Sequence, residues 1–155
     1  MLFRSDVPLD TAKARAVLPP TVHLRDAVFN LQRAVLFVRA LEAGDYGALR
    51  EAMKDRWHQP FRAPLVPALS DALALEHPSL LGVCLSGAGP SILALAEDKP
   101  EEVAALLGSL YDRLGVRHTV RILEAHQPDT PTDFRAARGR RSRRGKPKGR
   151  RAKRV

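Results

Sequence analysis

The longest uncharged stretch of the chain, residues 78–96 (PSLLGVCLSGAGPSILALA), constrains the fold more than any other segment. A membrane-spanning helix needs roughly 20 predominantly apolar residues without strong breakers. Here Gly87, Gly89 and Pro90 interrupt the run at its centre, with Ser86 and Ser91 beside them. Proline and paired glycines end helices and favour turns. The pattern therefore predicts two short apolar strands, Leu80–Leu85 and Ser91–Ala96, joined by a glycine turn.

The segments around this pair supply the rest of an α+β domain. Residues 1–4 read as part of a strand, and Asp10 caps a short helix over 11–18 that Pro19 and Pro20 stop. Leu24, Val28, Leu31, Val35, Val38 and Leu41 recur at helical spacing before Gly44, which predicts a helix over Leu24–Ala43. Asp45 is expected to cap a further helix reaching about Trp57. A proline-punctuated stretch, HQPFRAPLVP, then leads into a helix over 68–76. After the strand pair, Asp98 reads as a cap, Pro100 as a first-turn proline, and Glu101 and Glu102 as complements to the helix dipole. Val103, Leu106, Leu107, Leu110 and Leu114 make the expected buried stripe, ended by Gly115. Residues 116–123 alternate, with Val116, His118, Val120 and Ile122 on one face, as a half-buried strand does. The order α-β-β-α-β implies an antiparallel sheet of ferredoxin-like type, covered by helices on one side.

Charge divides the chain differently. Its formal net charge is +9, yet residues 134–155 hold 12 of the 26 Lys+Arg and none of the 17 Asp+Glu. Residues 1–133 are thus mildly acidic. The segment 126–133 reads as a linker, and 134–155 as a disordered basic tail with almost nothing to bury. Cys84 is the only cysteine, so no intrachain disulfide forms, and a reducing cytoplasm is the expected compartment. The N-terminus has no apolar stretch of signal-peptide length, and no membrane segment is expected.

The turn Ser86, Gly87, Ala88, Gly89, Pro90, Ser91 lets a backbone approach a ligand closely, and successive N–H groups in such a turn can form an anion nest. By itself it reads first as a plain hairpin needing positive φ. Other residues carry similar pairs of readings. Arg15 is either a solvated arginine near a helix C-terminus or an anion clamp. Arg62 is either a surface arginine after a proline turn or a second clamp. Asn30 interrupts an apolar helix and implies a buried partner or a cleft, and it stands with Arg15 and Arg62 as a candidate substrate-binding residue. Trp57 and His58 read as packing and turn residues, and Cys84 as core.

In context the segments carry a resemblance. LGVCLSGAGPSILAL resembles the third signature of the GHMP small-molecule kinases, a hydrophobic strand followed by S-G-x-G-P-S/T. Upstream, LDTAKARAVLP, RDAVFNLQRA, GDY and LREAMKDRWHQPFRAPLVP resemble, in order, the second half of the homoserine kinase family. The resemblance covers about residues 1–125. It implies a helical substrate-side segment over 1–60 and the α+β C-terminal domain over 61–125. It also implies phosphorylation of the homoserine hydroxyl by ATP with Mg²⁺, on the route to threonine, with Arg15 and Arg62 at the amino-acid substrate. A guanidinium suits that role because it can hold a carboxylate through parallel hydrogen bonds.

Family members are about twice this long. Their phosphate loop, P-x-x-x-G-L-G-S-S, and the acidic residue that meets Mg²⁺ have no counterpart in this sequence. The chain is therefore expected to be a C-terminal fragment without kinase activity of its own. Self-association, or pairing with a separate N-terminal half, is the expected fate of the surface left uncovered. Two other readings stand beside this one. One is a different GHMP kinase. The other is a non-catalytic small-molecule-binding domain whose basic tail attracts nucleic acid without sequence preference.

Overall fold

The computed structural model describes residues 1–125. Its centre is a four-stranded antiparallel sheet of β1 (Leu2–Ser5), β2 (Leu80–Leu85), β3 (Ser91–Ala96) and β4 (His118–Arg121), in the order β2-β3-β1-β4. Both strands of the uncharged run lie at the predicted residues. β1 sits between β3 and β4, with Phe3 opposite Ile92 on one side and Val120 on the other. Because the first residues of the chain build an inner strand, Met1–Leu123 form a single unit. The segment expected over 1–60 and the α+β part that follows it both fall within that unit. The expected linker (126–133) and basic tail (134–155) lie outside the described residues.

Helices α1 (Thr11–Ala16), α2 (Leu24–Ala43), α3 (Leu49–Ala52), α4 (Gln59–Arg62), α5 (Leu69–Ala74) and α6 (Pro100–Arg113) complete the α+β fold. The core lies between one face of the sheet and α5 and α6. Phe3, Val83, Leu85, Ile92 and Ala94 from the sheet meet Leu69 and Ala72 of α5 and Val103, Leu107 and Tyr111 of α6. The side chains of Leu2 and Leu93, which are register partners, fall on the opposite face by strand alternation and are partly exposed. α3 lies close against β2: a Cβ added at Gly82 would fall 2.5 Å from Met53 Sδ and 3.4 Å from the Leu49 carbonyl, so a larger residue there would displace the Met53 side chain.

Several helices differ from expectation for identifiable local reasons. Asp10 does cap α1, accepting from the Ala12 N–H at 2.8 Å. Asp98 caps nothing: its φ is +62°, and Lys99 takes the N-cap position of α6. Asp45 likewise makes no side-chain cap, and the segment after it is a 3-10 turn (Tyr46–Ala48) followed by the short α3, not a helix to Trp57. The proline-punctuated stretch is itself helical, because Pro60 falls in the first turn of α4, where its missing N–H costs nothing. The buried stripe of α6 is rotated, with Tyr111 inside and Leu106 and Leu114 exposed.

The chief surprise is α2, which has the predicted bounds and ends at Gly44 in the left-handed region (φ 67°). Its body-side face, with Phe29, Arg33, Phe37 and Ala40, is partly or wholly buried. The periodic stripe from which the helix was predicted points the other way: Leu24 is 79% exposed and Leu31 65%.

Tyr111 is fully buried and stacks on His118 with ring centroids 5.1 Å apart. Its hydroxyl has no partner among the described residues, and burial pushes the phenol up to about 12. An unpaired buried hydroxyl costs free energy. Tyr111→Phe is therefore expected to raise stability by about 1 kcal/mol, read as a higher urea midpoint at unchanged slope. A loss of similar size would mean that the hydroxyl is partnered after all.

Candidate functional site

The site is built around Arg62, the last residue of α4, which is only 9% exposed. Its Nε donates to the Ala14 carbonyl of α1 at 3.0 Å. Its Nη1 donates to the Gly87 carbonyl of the glycine turn at 3.1 Å and lies 3.4 Å from His58 Nδ1. One buried cation thus ties together three segments distant in sequence. Nη2 takes no acceptor among the described residues. The guanidinium offers one open edge; a complete two-pronged fork is not available.

Arg15 follows the residue whose carbonyl holds Arg62. It is exposed, lies in the last turn of α1, and makes no side-chain hydrogen bond or ion pair with the described residues. The Arg62 guanidinium is therefore brought against the backbone beside Arg15.

The glycine turn is shaped for this position. Ser86 N–H donates to the Ser91 carbonyl at 2.8 Å and Gly89 N–H to the Ser86 carbonyl at 3.2 Å. Gly87 and Gly89 both have positive φ, 64° and 90°. At Gly89 a Cβ would also meet Val66, Leu9 and Leu85 at 3.0–3.3 Å, whereas at Gly87 it would meet nothing. Gly89 packs inward and Gly87 faces open space. The N–H groups of Gly87 and Ala88 take no acceptor among the described residues, leaving two adjacent donors at the turn. Such a pair suits an anionic oxygen.

Asn30 is engaged elsewhere. Its amide donates to Asp55 Oδ1 at 2.5 Å and accepts from the Arg56 N–H at 2.9 Å, so it reaches Arg62 only through Asp55. Asp55 also accepts the N–H groups of Trp57 (3.2 Å), His58 (2.9 Å) and Gln59 (2.7 Å), which sets the start of α4. Gln59, 3% exposed, then accepts the Leu85 N–H at 2.6 Å and fastens α4 to the end of β2. Asp55 and Gln59 were not singled out in the sequence, although an Asp shortly before a proline-started helix is a cap signal. His58, read as a turn residue, lies between Asp55 and Arg62.

A cavity of about 460 Å³ adjoins this cluster beside α3 and β2, with Asp55 and Gln59 in its lining. Its cations are already engaged: Arg33 and Lys54 with Glu51, Arg50 with the Leu75 carbonyl, and Arg56 with Asp26. Burial raises the Cys84 thiol above its ordinary value, aided by the charge of Asp55, so it stays protonated and inert.

Residues 37–112 match the family model described as GHMP kinases C terminal. The fold and the glycine-turn site thus define a C-terminal domain of the GHMP kinase class, to which the chain belongs. Within that class its relatives are homoserine kinases, matched over their C-terminal part. The homoserine kinase of Solibacter usitatus is 50% identical over 106 residues, covering 68% of this chain and 35% of the relative. That of Aquifex aeolicus is 42% identical over 122 residues, covering 77% and 41%. The crystal structure of homoserine kinase from Cytophaga hutchinsonii superimposes with a TM-score of 0.70 at 25% identity, over 77% of this chain and 39% of that one. The chain therefore spans about two fifths or less of the length of these relatives.

Burial alone would raise the Asp55 carboxyl, but the N–H groups of Gln59 and His58 and the Asn30 amide outweigh it and hold it below its ordinary value. A depressed folded-state pKa stabilises the fold above the unfolded value, about 3.9, and the gain is lost as pH falls through the folded value. Asp55→Asn is expected to cost about 1.5–3 kcal/mol at pH 7. Urea unfolding of both proteins at pH 7 and at about pH 3 should show the gap closing in acid. A gap independent of pH would remove the carboxylate from this role.

Proposed function

We propose that residues 1–125 are the substrate-side part of a homoserine kinase, with Arg62 and Arg15 receiving the carboxylate of homoserine beside the glycine turn. The supporting observation is the buried guanidinium of Arg62, locked by the Ala14 and Gly87 carbonyls, with Nη2 taking no acceptor among the described residues. A preset donor loses little freedom on binding, so its hydrogen bond counts nearly in full. The exposed cation of Arg15 supplies the second contact that a single edge of Arg62 cannot. The Gly87 and Ala88 N–H groups add neutral donors for a further anionic oxygen. The amino-acid hydroxyl would then lie beside the turn, oriented by a carboxylate fixed at its other end.

Mg²⁺ does not fit the residues present here. The site donates hydrogen bonds from cations and amides, which repel a metal, and no group of three or more metal-ligating side chains occurs among the described residues. The nucleotide and its metal belong to the part of the relatives that this chain does not span, and the chain alone is expected to lack turnover. Among the described residues no helix is long and apolar enough to cross a membrane, and a cytoplasmic setting suits the proposed reaction. Residues 134–155 would add, by charge alone, a salt-sensitive attraction for nucleic acid.

Calorimetric titration of the full chain with homoserine tests the carboxylate clamp. Arg15→Ala and Arg62→Lys are each expected to weaken binding about 10- to 150-fold, the cost of one charged hydrogen bond. The amino alcohol that lacks the carboxylate should bind wild type and variants equally weakly. Because Arg62 also ties the fold together, the exposed Arg15 decides the matter: unchanged affinity in Arg15→Ala, or ordinary ATP-dependent turnover by the chain alone, would overturn the reading.

A further inference from the structure

Small-molecule sites are mostly apolar hollows of about 300–1,000 Å³ with a few well-placed polar groups. The cavity of about 460 Å³ beside α3 and β2 has this make-up. Leu73, Leu75, Leu80 and Val83 give it apolar walls. Four cations, Arg33, Arg50, Lys54 and Arg56, stand around them against two carboxylates, Glu51 and Asp55. Phe29 and Arg33 line it from the body side of α2, so the hollow lies within the domain and not on the uncovered stripe. Arg15, Arg62 and the glycine turn do not line it.

Each of these cations has a partner, but not every donor is used. Asp26 lies 3.4 Å from Arg56 Nη1, and Glu76 lies 3.6 Å from Arg50 Nη2. Such long pairs near the surface hold little free energy and yield readily to another anion. Arg56 is the most informative member. Its guanidinium lies over the Phe29 ring, 3.9 Å from the centroid, which steadies a half-exposed side chain. Its Nε and Nη2 take no acceptor among the described residues. Those two N–H groups leave one edge of the guanidinium in parallel, the arrangement that receives both oxygens of a carboxylate. On Arg62 that fork is broken, because Nε is held by the Ala14 carbonyl.

We propose that this cavity is a second ligand site, for a small carboxylate with a short apolar body, its oxygens on the Arg56 fork and its chain against Leu73, Leu75, Leu80 and Val83. Burying the chain removes both it and the walls from water, while the fork sets its direction. A zwitterionic amino acid fits less well. Its ammonium would meet four cations and find both carboxylates occupied: Glu51 by Arg33 and Lys54, and Asp55 by Asn30 and the N–H groups of Trp57, His58 and Gln59. The proposal does not rest on the homoserine reading of Arg62.

The probe is hexanoate, titrated into the full chain and followed through the amide NMR shifts of residues around the cavity. Saturable one-to-one binding is expected, with the shifts centred on Arg56, Leu75 and Gly82. Arg56→Gln is expected to weaken it at least ~10-fold. Leu73→Gln, at a partly exposed position, should weaken it several-fold. Arg39→Gln removes a cation that pairs with Glu42 and does not line the cavity, and should change nothing. Hexanol and leucine should each bind at least ~10-fold more weakly than hexanoate. Excess homoserine should leave the hexanoate shifts in place. The assignment is overturned by the absence of saturable shifts at these amides, by affinity indifferent to Arg56→Gln, by leucine binding as tightly as hexanoate, or by displacement with homoserine. None of these readouts uses turnover or homoserine affinity, so failure here is separable from failure of the kinase reading.

Discussion

The buried guanidinium of Arg62 is the interaction on which the rest of the site depends. Nε reaches α1 through the Ala14 carbonyl, Nη1 reaches the glycine turn through the Gly87 carbonyl, and the backbone of Arg62 closes α4. A cation taken out of water is tolerated only when its donors are met, and here two carbonyl dipoles meet it. The same bonds that make burial tolerable fix the one remaining edge in direction. Structure and proposed recognition are thus one arrangement: the protein uses most of the guanidinium to hold itself, and the remainder is what the proposed clamp would use.

Behind Arg62 stands a second layer that sets its position. Asp55 collects the N–H groups at the start of α4 and the amide of Asn30 from α2, and Gln59 pins α4 to the last residue of β2. Asn30 thereby contributes to the site at a distance, through Asp55, and its own polar atoms are engaged within the protein. The arrangement explains why a polar residue interrupts the helix there without implying an open cleft.

Much of this was legible along the chain. The glycine turn, both strands around it and the bounds of α2 follow from local chemistry: helix breakers, alternation and a left-handed glycine are properties of a few adjacent residues. The short helices were less legible because their caps are set by distant contacts. Asp98 and Asp45 resemble caps in sequence yet make none, while Asp55, which does cap, stands two to four residues before the amides it serves. Nor could periodicity say which way a stripe faces. On α2 it identified the helix correctly, but the predicted stripe is the side the rest of the domain leaves uncovered.

The sequence by itself determined the α+β class, the hairpin with its glycine corner and the resemblance to the GHMP kinases, because each depends on residue types at short spacing. Only the tertiary structure decided that Arg62 is buried while Arg15 is exposed, that β1 is an inner strand, and that Asn30 serves Asp55. Those outcomes depend on which carbonyls and amides from remote segments arrive within hydrogen-bonding distance, and no spacing along a chain encodes that meeting.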